Sequence, residues 1–350
     1  MRLSRSFLAS FLLLFLGLFV ADGQRVPALF IFGDSFFDVG NNNNLVTLIK
    51  ANFPPYGRDF VTKQPTGRFC NGKLAADFTA ESLGFTSYPQ AYLSIEASGN
   101  NLLMGANFAS AASGYFDATA DLYHAISLSQ QLEYYREYRR RVVEIVGRSN
   151  ASRITSGAIY FLSAGNSDFL QNYYVDPLLQ STYSFDHFSD ILLHSYTNFI
   201  RGLYALGARR IGVTTLPPMG CLPAAMTLYG LGVNECVERL NNDAVSFNKK
   251  LNATSKRLQN RLSSLILVVI DIYQPLFNLS TNPTPNGFFE AKRACCVSGV
   301  LATAMLCNSY SLGTCVNASD YVFWDGFHPS EAANNFIVRT LIPSGVQLIS

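Results

Sequence analysis

Apolar residues fall into five short, nearly unbroken runs along the chain: "ALFIFGDS" (28–35), "NLLMGANFA" (101–109), "AIYFLSAGN" (158–166), "RRIGVTTLPP" (209–218) and "LILVVIDIY" (265–273). Continuous runs of this length, rich in β-branched and aromatic residues, suit strands covered on both faces. The segments between them carry apolar residues at helical spacing instead. Leu128, Leu132, Tyr135 and Tyr138 mark one helix, "HFSDILLHSYTNFIRGLYALG" (187–207) a second with Gly207 as its C-cap, and 236–262 a third. Strand alternating with helix over the whole length predicts an α/β fold, a parallel sheet between two layers of helices. No repeat or low-complexity linker interrupts it, and "LPPMGCLP" and "NPTPNG" read as surface loops of one domain.

The first residues break this pattern. Arg2 and Arg5 precede an apolar stretch over 7–21, and Ala21-Asp22-Gly23 puts small residues at the −3 and −1 positions of a cleavage site. Residues 1–23 are therefore expected to be a signal peptide and 24–350 the folded domain. The stretch is shorter than the about 20 apolar residues that a membrane span requires, so no stable anchor is expected.

Export changes how the cysteines and asparagines read. Sequons at Asn150, Asn252, Asn278 and Asn317 become glycan acceptors. In an oxidising compartment Cys221 with Cys236 closes a short loop, and Cys295, Cys296, Cys307 and Cys315 can form two further bridges. Cys70 is then the odd thiol. Cys295 and Cys296 are adjacent and no C-x-x-C pair occurs, so no metal site is expected. A net charge of +2 gives no reason to expect a nucleic-acid partner, and "REYRRR" (136–141) reads as the solvated face of a helix.

Chemistry concentrates at two places. Gly33-Asp34-Ser35 ends the first predicted strand, and open α/β sheets bind ligands beyond the carboxyl ends of their strands. The asparagines that follow can satisfy turn and helix-start backbone groups. A serine hydroxyl needs a base before it becomes a useful nucleophile. Of the four histidines, His187 and His194 fall within a helix, and His124 has only Asp121 nearby. His328 differs: it lies in "WDGFHPSEAAN" (324–334), three residues after Asp325 and just before a helix start at Pro329-Ser330. In a loop, that offset lets the carboxylate reach the imidazole, fix its tautomer and stabilise its cation. The chain has no Gly-x-Ser-x-Gly elbow.

Together "FIFGDSFFDVGNN" (30–42), "GANFASAASG" (105–114), "FLSAGNSDF" (161–169) and "VFWDGFHPSEAAN" (322–334) resemble, in order, the blocks of GDSL-type or SGNH esterases and lipases. The spacing is similar to that of the plant secreted branch, and the likeness runs from about residue 27 to 343. The resemblance implies a three-layer α/β/α sandwich with a five-stranded, mainly parallel, flavodoxin-like sheet. It also implies a secreted hydrolase of carboxylic esters, with acyl lipids the expected substrates and no metal or organic cofactor. Carried over by position, Ser35 is the nucleophile, His328 the general base and Asp325 its orienting acid.

The same resemblance implies an oxyanion hole made by the serine N–H, a glycine N–H of the second block and an asparagine side chain of the third. Ser35 keeps the first donor. Ala111 and Ala112 stand where glycine is frequent, with Gly114 following, so Ala111 and Gly114 are the candidates for the second. The third block reads Gly165-Asn166-Ser167-Asp168, with Ser167 in the asparagine's place and Asn166 one position early; both are candidates. Phe36 replaces the leucine of the family's name. The same framework serves two other functions: an extracellular acyltransferase, in which an alcohol replaces water, and a catalytically weak or inactive binding glycoprotein.

Overall fold

The computed structural model describes residues 24–230, 234–297, 306–307, 311 and 313–349, so the expected leader at 1–23 lies outside the described residues. In chain order the main elements are β1 (Leu29–Gly33), α1 (Ala75–Ser82), β2 (Gly105–Asn107), α2 (Leu128–Gly157), β3 (Ile159–Ser163) and α3 (Phe185–Ala205). They continue with β4 (Arg210–Thr214), α4 (Glu238–Arg261), β5 (Ile266–Ile270), α5 (Tyr273–Thr281) and α6 (Glu331–Gly345). The five strands form one parallel sheet in the order β2-β1-β3-β4-β5. The order reverses between β1 and β3, which is the switch point where sheets of this kind leave a crevice for ligands.

Side-chain alternation along the strands assigns the two faces. Phe30 and Phe32 of β1, Tyr160 and Leu162 of β3, and Ile211 and Val213 of β4 point into a core shared with α2, α3 and α4. Leu29, Ile31, Ile159 and Ile270 point the other way, toward α1 and α6. The first core is dense in aromatic rings: Phe30 meets Tyr135 and Tyr138 edge-on at centroid distances of 5.2 and 5.1 Å. Tyr135 bonds through its hydroxyl to that of Tyr160 at 2.6 Å, and Tyr160 donates to the Thr155 carbonyl at 2.8 Å. These hydroxyls are buried without being orphaned.

The second predicted strand is shorter than its apolar run. Residues Gly99–Met104 coil into a 3-10 turn that buries Leu102, and pairing begins only at Gly105. A Cβ on Gly105, whose φ is +104°, would stand 2.0 Å from the Leu29 carbonyl oxygen, so only glycine permits this approach. The three expected helices are present, and α2 continues to Gly157 across a break at Gly147.

Past β5 the chain adds two small strand pairs, Glu290–Ala294 with Tyr321–Phe323 and Cys296–Val297 with Gly313–Thr314. Disulfides join Cys221 to Cys236, Cys295 to Cys315 and Cys296 to Cys307, while Cys70 is free and buried. Asn150, Asn252, Asn278 and Asn317 are all exposed. Among the described residues no helix is long and apolar enough to cross a membrane.

Candidate active site

The exit of β1 is built so that Ser35 must turn into the crevice. Gly33 has φ +122°, and a Cβ there would stand 1.8 Å from the Ser163 carbonyl oxygen. Because β2 pairs with β1 only as far as Ile31, the edge at Gly33 needs another partner. Gln131 of α2 supplies it: its Nε2 donates to the Gly33 carbonyl at 2.9 Å and its Oε1 accepts the Gly33 N–H at 2.8 Å. The same Nε2 reaches Ser113 Oγ at 3.1 Å, and Ser110 donates its N–H to the Gly33 carbonyl at 2.9 Å. The 110–113 loop is thereby held beside the strand that leads to Ser35. Beyond Gly33, the Phe37 and Asp38 N–H groups both return to the Asp34 carbonyl, closing a tight turn around Ser35.

The histidine arrives on a loop pinned at both ends. Trp324 donates its N–H to the His328 carbonyl at 2.8 Å, and Ser330 donates to the Val322 carbonyl at 2.9 Å before capping α6 through its side chain. Inside the loop, Asp325 Oδ1 accepts the N–H groups of Phe327 and His328, each at 2.9 Å, in an Asx-type turn. That turn places the carboxylate against the imidazole of the same loop, 2.7 and 2.9 Å from His328 Nδ1. Tyr56 donates its hydroxyl to Asp325 Oδ2 at 2.9 Å. Burial, reinforced by the Asp325 charge, pushes the Tyr56 hydroxyl well above its ordinary pKa, so it stays a donor. Asp325 and Trp324 are completely buried, and Phe69 packs its ring 5.2 Å from the imidazole.

His328 Nε2 lies 2.7 Å from Ser35 Oγ. With Nδ1 facing a carboxylate, the network assigns the ring proton to Nδ1 and leaves the Nε2 lone pair for the serine hydroxyl. The arrangement can remove a proton from Ser35 and return it elsewhere. The other three histidines are not brought to this place: His187 and His194 lie on α3, and His124 sits in a turn with φ +52°.

The cleft over Ser35 and His328 is lined also by Asp34, Ser163, Asn166, Leu222 and Phe327, among others. Asn166 therefore belongs to it, while Ser167 is buried at the start of the helical turn that follows and is not part of the lining. The amide of Asn166 makes no hydrogen bond among the described residues, and its buried Oδ1 has no partner. Its NH₂ group, equally without a partner among the described residues, is available to donate into the cleft beside Ser35.

The second block departs from expectation. Ala111 N–H is already given to Asp38 Oδ2 at 2.9 Å, so Ala111 is withdrawn as an oxyanion donor. Gly114 serves packing: a Cβ there would stand 2.1 Å from Asp168 Oδ1, and Gly114 does not line the cleft. Asp168 instead anchors the loop, accepting the N–H groups of Tyr115 and Phe116 at 2.7 and 3.2 Å and the Thr119 hydroxyl at 2.7 Å. Ala112 adopts φ +67°, the left-handed conformation that explains why glycine is frequent there. Its N–H and that of Ser35 have no acceptor among the described residues.

Several supports gave no warning in sequence. Asp38, not the asparagines, satisfies the turn, accepting from Gly40 and Asn41 N–H at 2.8 Å each. Asn41 and Asn42 reach across to the second block, where Asn41 donates to the Asn107 and Ala109 carbonyls and Asn42 to that of Ala111. Burial pushes the carboxyl pKa of Asp34 up to about 7, of Asp38 to about 6 and of Asp168 to about 7, even though each accepts backbone N–H groups.

The sequence model of the GDSL-like Lipase/Acylhydrolase family matches residues 29–341. The GDSL esterase/lipase At5g22810 of Arabidopsis thaliana is 65% identical over 328 residues, covering 93% of this chain and 91% of its own. The GDSL esterase/lipase At3g53100 of the same plant is 61% identical over 328 residues, covering 94% and 93%. A third Arabidopsis relative, the GDSL esterase/lipase APG, is 57% identical over 331 residues and 94% of each chain.

Proposed function

Since the chain belongs to the GDSL-like lipase/acylhydrolase family, whose class of reaction is carboxylic ester hydrolysis, we propose that it is an exported serine esterase acting on acyl-lipid esters. The observation that carries this reading is the unbroken hydrogen-bonded line from Ser35 through His328 to Asp325 at the sheet's switch point.

As Ser35 Oγ bonds to the ester carbonyl carbon, His328 Nε2 takes the hydroxyl proton and the carbonyl oxygen gains the negative charge. The Ser35 N–H and the Asn166 amide, both at the cleft, are the donors for that charge. The bond to the alcohol then breaks, and the imidazolium gives its proton to the departing oxygen. Water attacks the acyl-enzyme in the second half, Nε2 takes its proton, and the carboxylic acid leaves as the proton returns to Ser35 Oγ. Asp325 remains anionic throughout and stabilises the imidazolium twice per cycle.

The oxyanion assignment separates two variants. Asn166→Ala is expected to lower kcat on p-nitrophenyl butyrate by about 10²–10³ with little change in KM, and Ser167→Ala by less than about threefold. A large loss in Ser167→Ala with a small one in Asn166→Ala would transfer the role to Ser167. Adding a primary alcohol to the assay separates hydrolysis from acyl transfer, because in a transferase the alcohol attacks the acyl-enzyme in place of water and new ester forms instead of free acid.

Three disulfides and four exposed sequon asparagines support export with glycosylation. Protein recovered from the medium of expressing plant cells should begin at Gln24; retention inside cells with residues 1–23 attached would contradict this.

A further inference from the structure

An apolar cavity of about 280 Å³ lies between the sheet and the α1–α6 layer, beside the Ser35 cleft. Phe36, Ile272 and Ile337 line both spaces, so the two share a wall. From there the cavity follows α6 past Val338 and Leu341 to Gly345. At 1.5 Å per residue this path is about 12 Å long, the span of an extended hydrocarbon of about eight to ten carbons.

Three observations mark the cavity as a receiving site. Phe161 is in β3, the middle strand of the sheet, yet it keeps accessible surface while its neighbours Tyr160 and Leu162 have none. The side chain packs on one side against Phe37, with ring centroids 6.5 Å apart, and lines the cavity with its remaining surface, in a class of interior that is normally filled. The few polar side chains in the lining are Arg25, Thr79, Ser82 and Thr214. Arg25 and Ser82 are exposed, and the Thr214 hydroxyl is already given to Ser163 Oγ at 2.9 Å, so little in this wall recognises a polar ligand. At the far end, Ile342 of α6 is 46% exposed, an apolar lip on a helix whose inner face is buried.

We propose that this cavity receives the acyl chain of the ester and makes the enzyme selective for medium-length acyl groups. The proposal rests on the serine-esterase reading and adds the substrate's length and location. The acyl group stays bonded to Ser35 until water arrives, so its chain is the part that must be held while the alcohol departs. Phe36, the residue after Ser35, begins the shared wall. Each methylene that enters dry apolar surroundings then raises kcat/KM by up to about fourfold, because remote binding is available to the transition state.

The test compares p-nitrophenyl acyl esters from acetyl to palmitoyl, and alkyl acetates of the same range, on wild type, Val338→Trp and Thr79→Phe. The two variants fill the cavity from α6 and from α1. Wild-type kcat/KM should climb with acyl length to about ten carbons and then level. The decanoyl-to-acetyl ratio should fall at least about tenfold in both variants, a readout that cancels any inactive fraction. Fluorescent cis-parinaric acid should bind Ser35→Ala and should fail to bind Ser35→Ala carrying Val338→Trp. An unchanged ratio in both folded variants overturns the proposal and leaves the esterase reading standing. So does a length dependence carried by the alkyl acetates instead. Absence of Ser35-dependent hydrolysis of every ester overturns the esterase reading and the proposal with it.

Discussion

Replacing His328 with alanine is expected to lower kcat on a simple acyl ester by about 10⁴- to 10⁶-fold, with Ser35→Ala equally inactive and the double variant no worse than either. The reason is local. The Ser35 hydroxyl has one base in reach, Nε2 at 2.7 Å, and the other histidines lie on α3 or in a remote turn. Without that lone pair the hydroxyl must shed its proton to water, and the departing alcohol has no acid beside it. His124→Ala, His187→Ala and His194→Ala should each stay within about twofold of wild type on the same physical ground. A His328→Ala enzyme that keeps more than a tenth of wild-type kcat would mean the chemistry runs elsewhere.

The second large effect belongs to Asp325. Asp325→Asn should lower kcat by about 10³- to 10⁴-fold with KM nearly unchanged. The amide oxygen can keep accepting from the Phe327 and His328 N–H groups, and the NH₂ can turn toward the Tyr56 oxygen, so the loop should survive. What disappears is the negative charge beside the imidazolium in a completely buried site, where no water replaces it. Thermal unfolding of the variant near the wild-type midpoint, together with the lost kcat, distinguishes this from simple unfolding. A loss below about tenfold would reduce Asp325 to a residue that ties down the loop.

Much of this arrangement could be read from residue order, for a physical reason that differs element by element. β1, β3, β4 and β5 are covered on both faces, so their apolar runs are continuous and stand out from the helical spacing around them. The run at 101–109 overshot because Leu102 is buried from a 3-10 turn as thoroughly as it would be from a strand. The contact of Asp325 with His328 was legible because it spans three residues in one loop, which spacing does reveal. Likewise, four C-terminal cysteines close to one another suggested two bridges among themselves, while which of them pair was fixed only by the fold.

The oxyanion hole was not legible in the same way. Ala111 looked like a donor until Asp38, 73 positions earlier, was seen to occupy its N–H, and no local pattern announces such a pair. The choice between Asn166 and Ser167 depends on which side chain faces the cleft at the turn after β3, and neighbouring residues in a turn diverge in direction. Gln131 carried a signal that passed unused. It falls three residues after Leu128 and four before Tyr135, on the buried stripe of α2, and a wholly buried polar residue on an apolar face has to be bonding something. That something is Gly33, two residues before Ser35.

Whether Ser35 is an activated nucleophile is read most simply by covalent labelling with a fluorophosphonate probe. Such a probe reacts with a serine that has a working base and records the outcome on the residue itself. The experiment uses wild type recovered from culture medium, beside Ser35→Ala and His328→Ala, with equal folding shown by circular dichroism. Stoichiometric labelling of wild type is expected on the peptide that holds Ser35, and none in either variant. Folded wild type that remains unlabelled, or that labels on another residue, would contradict it and leave a binding glycoprotein on a hydrolase fold as the better description.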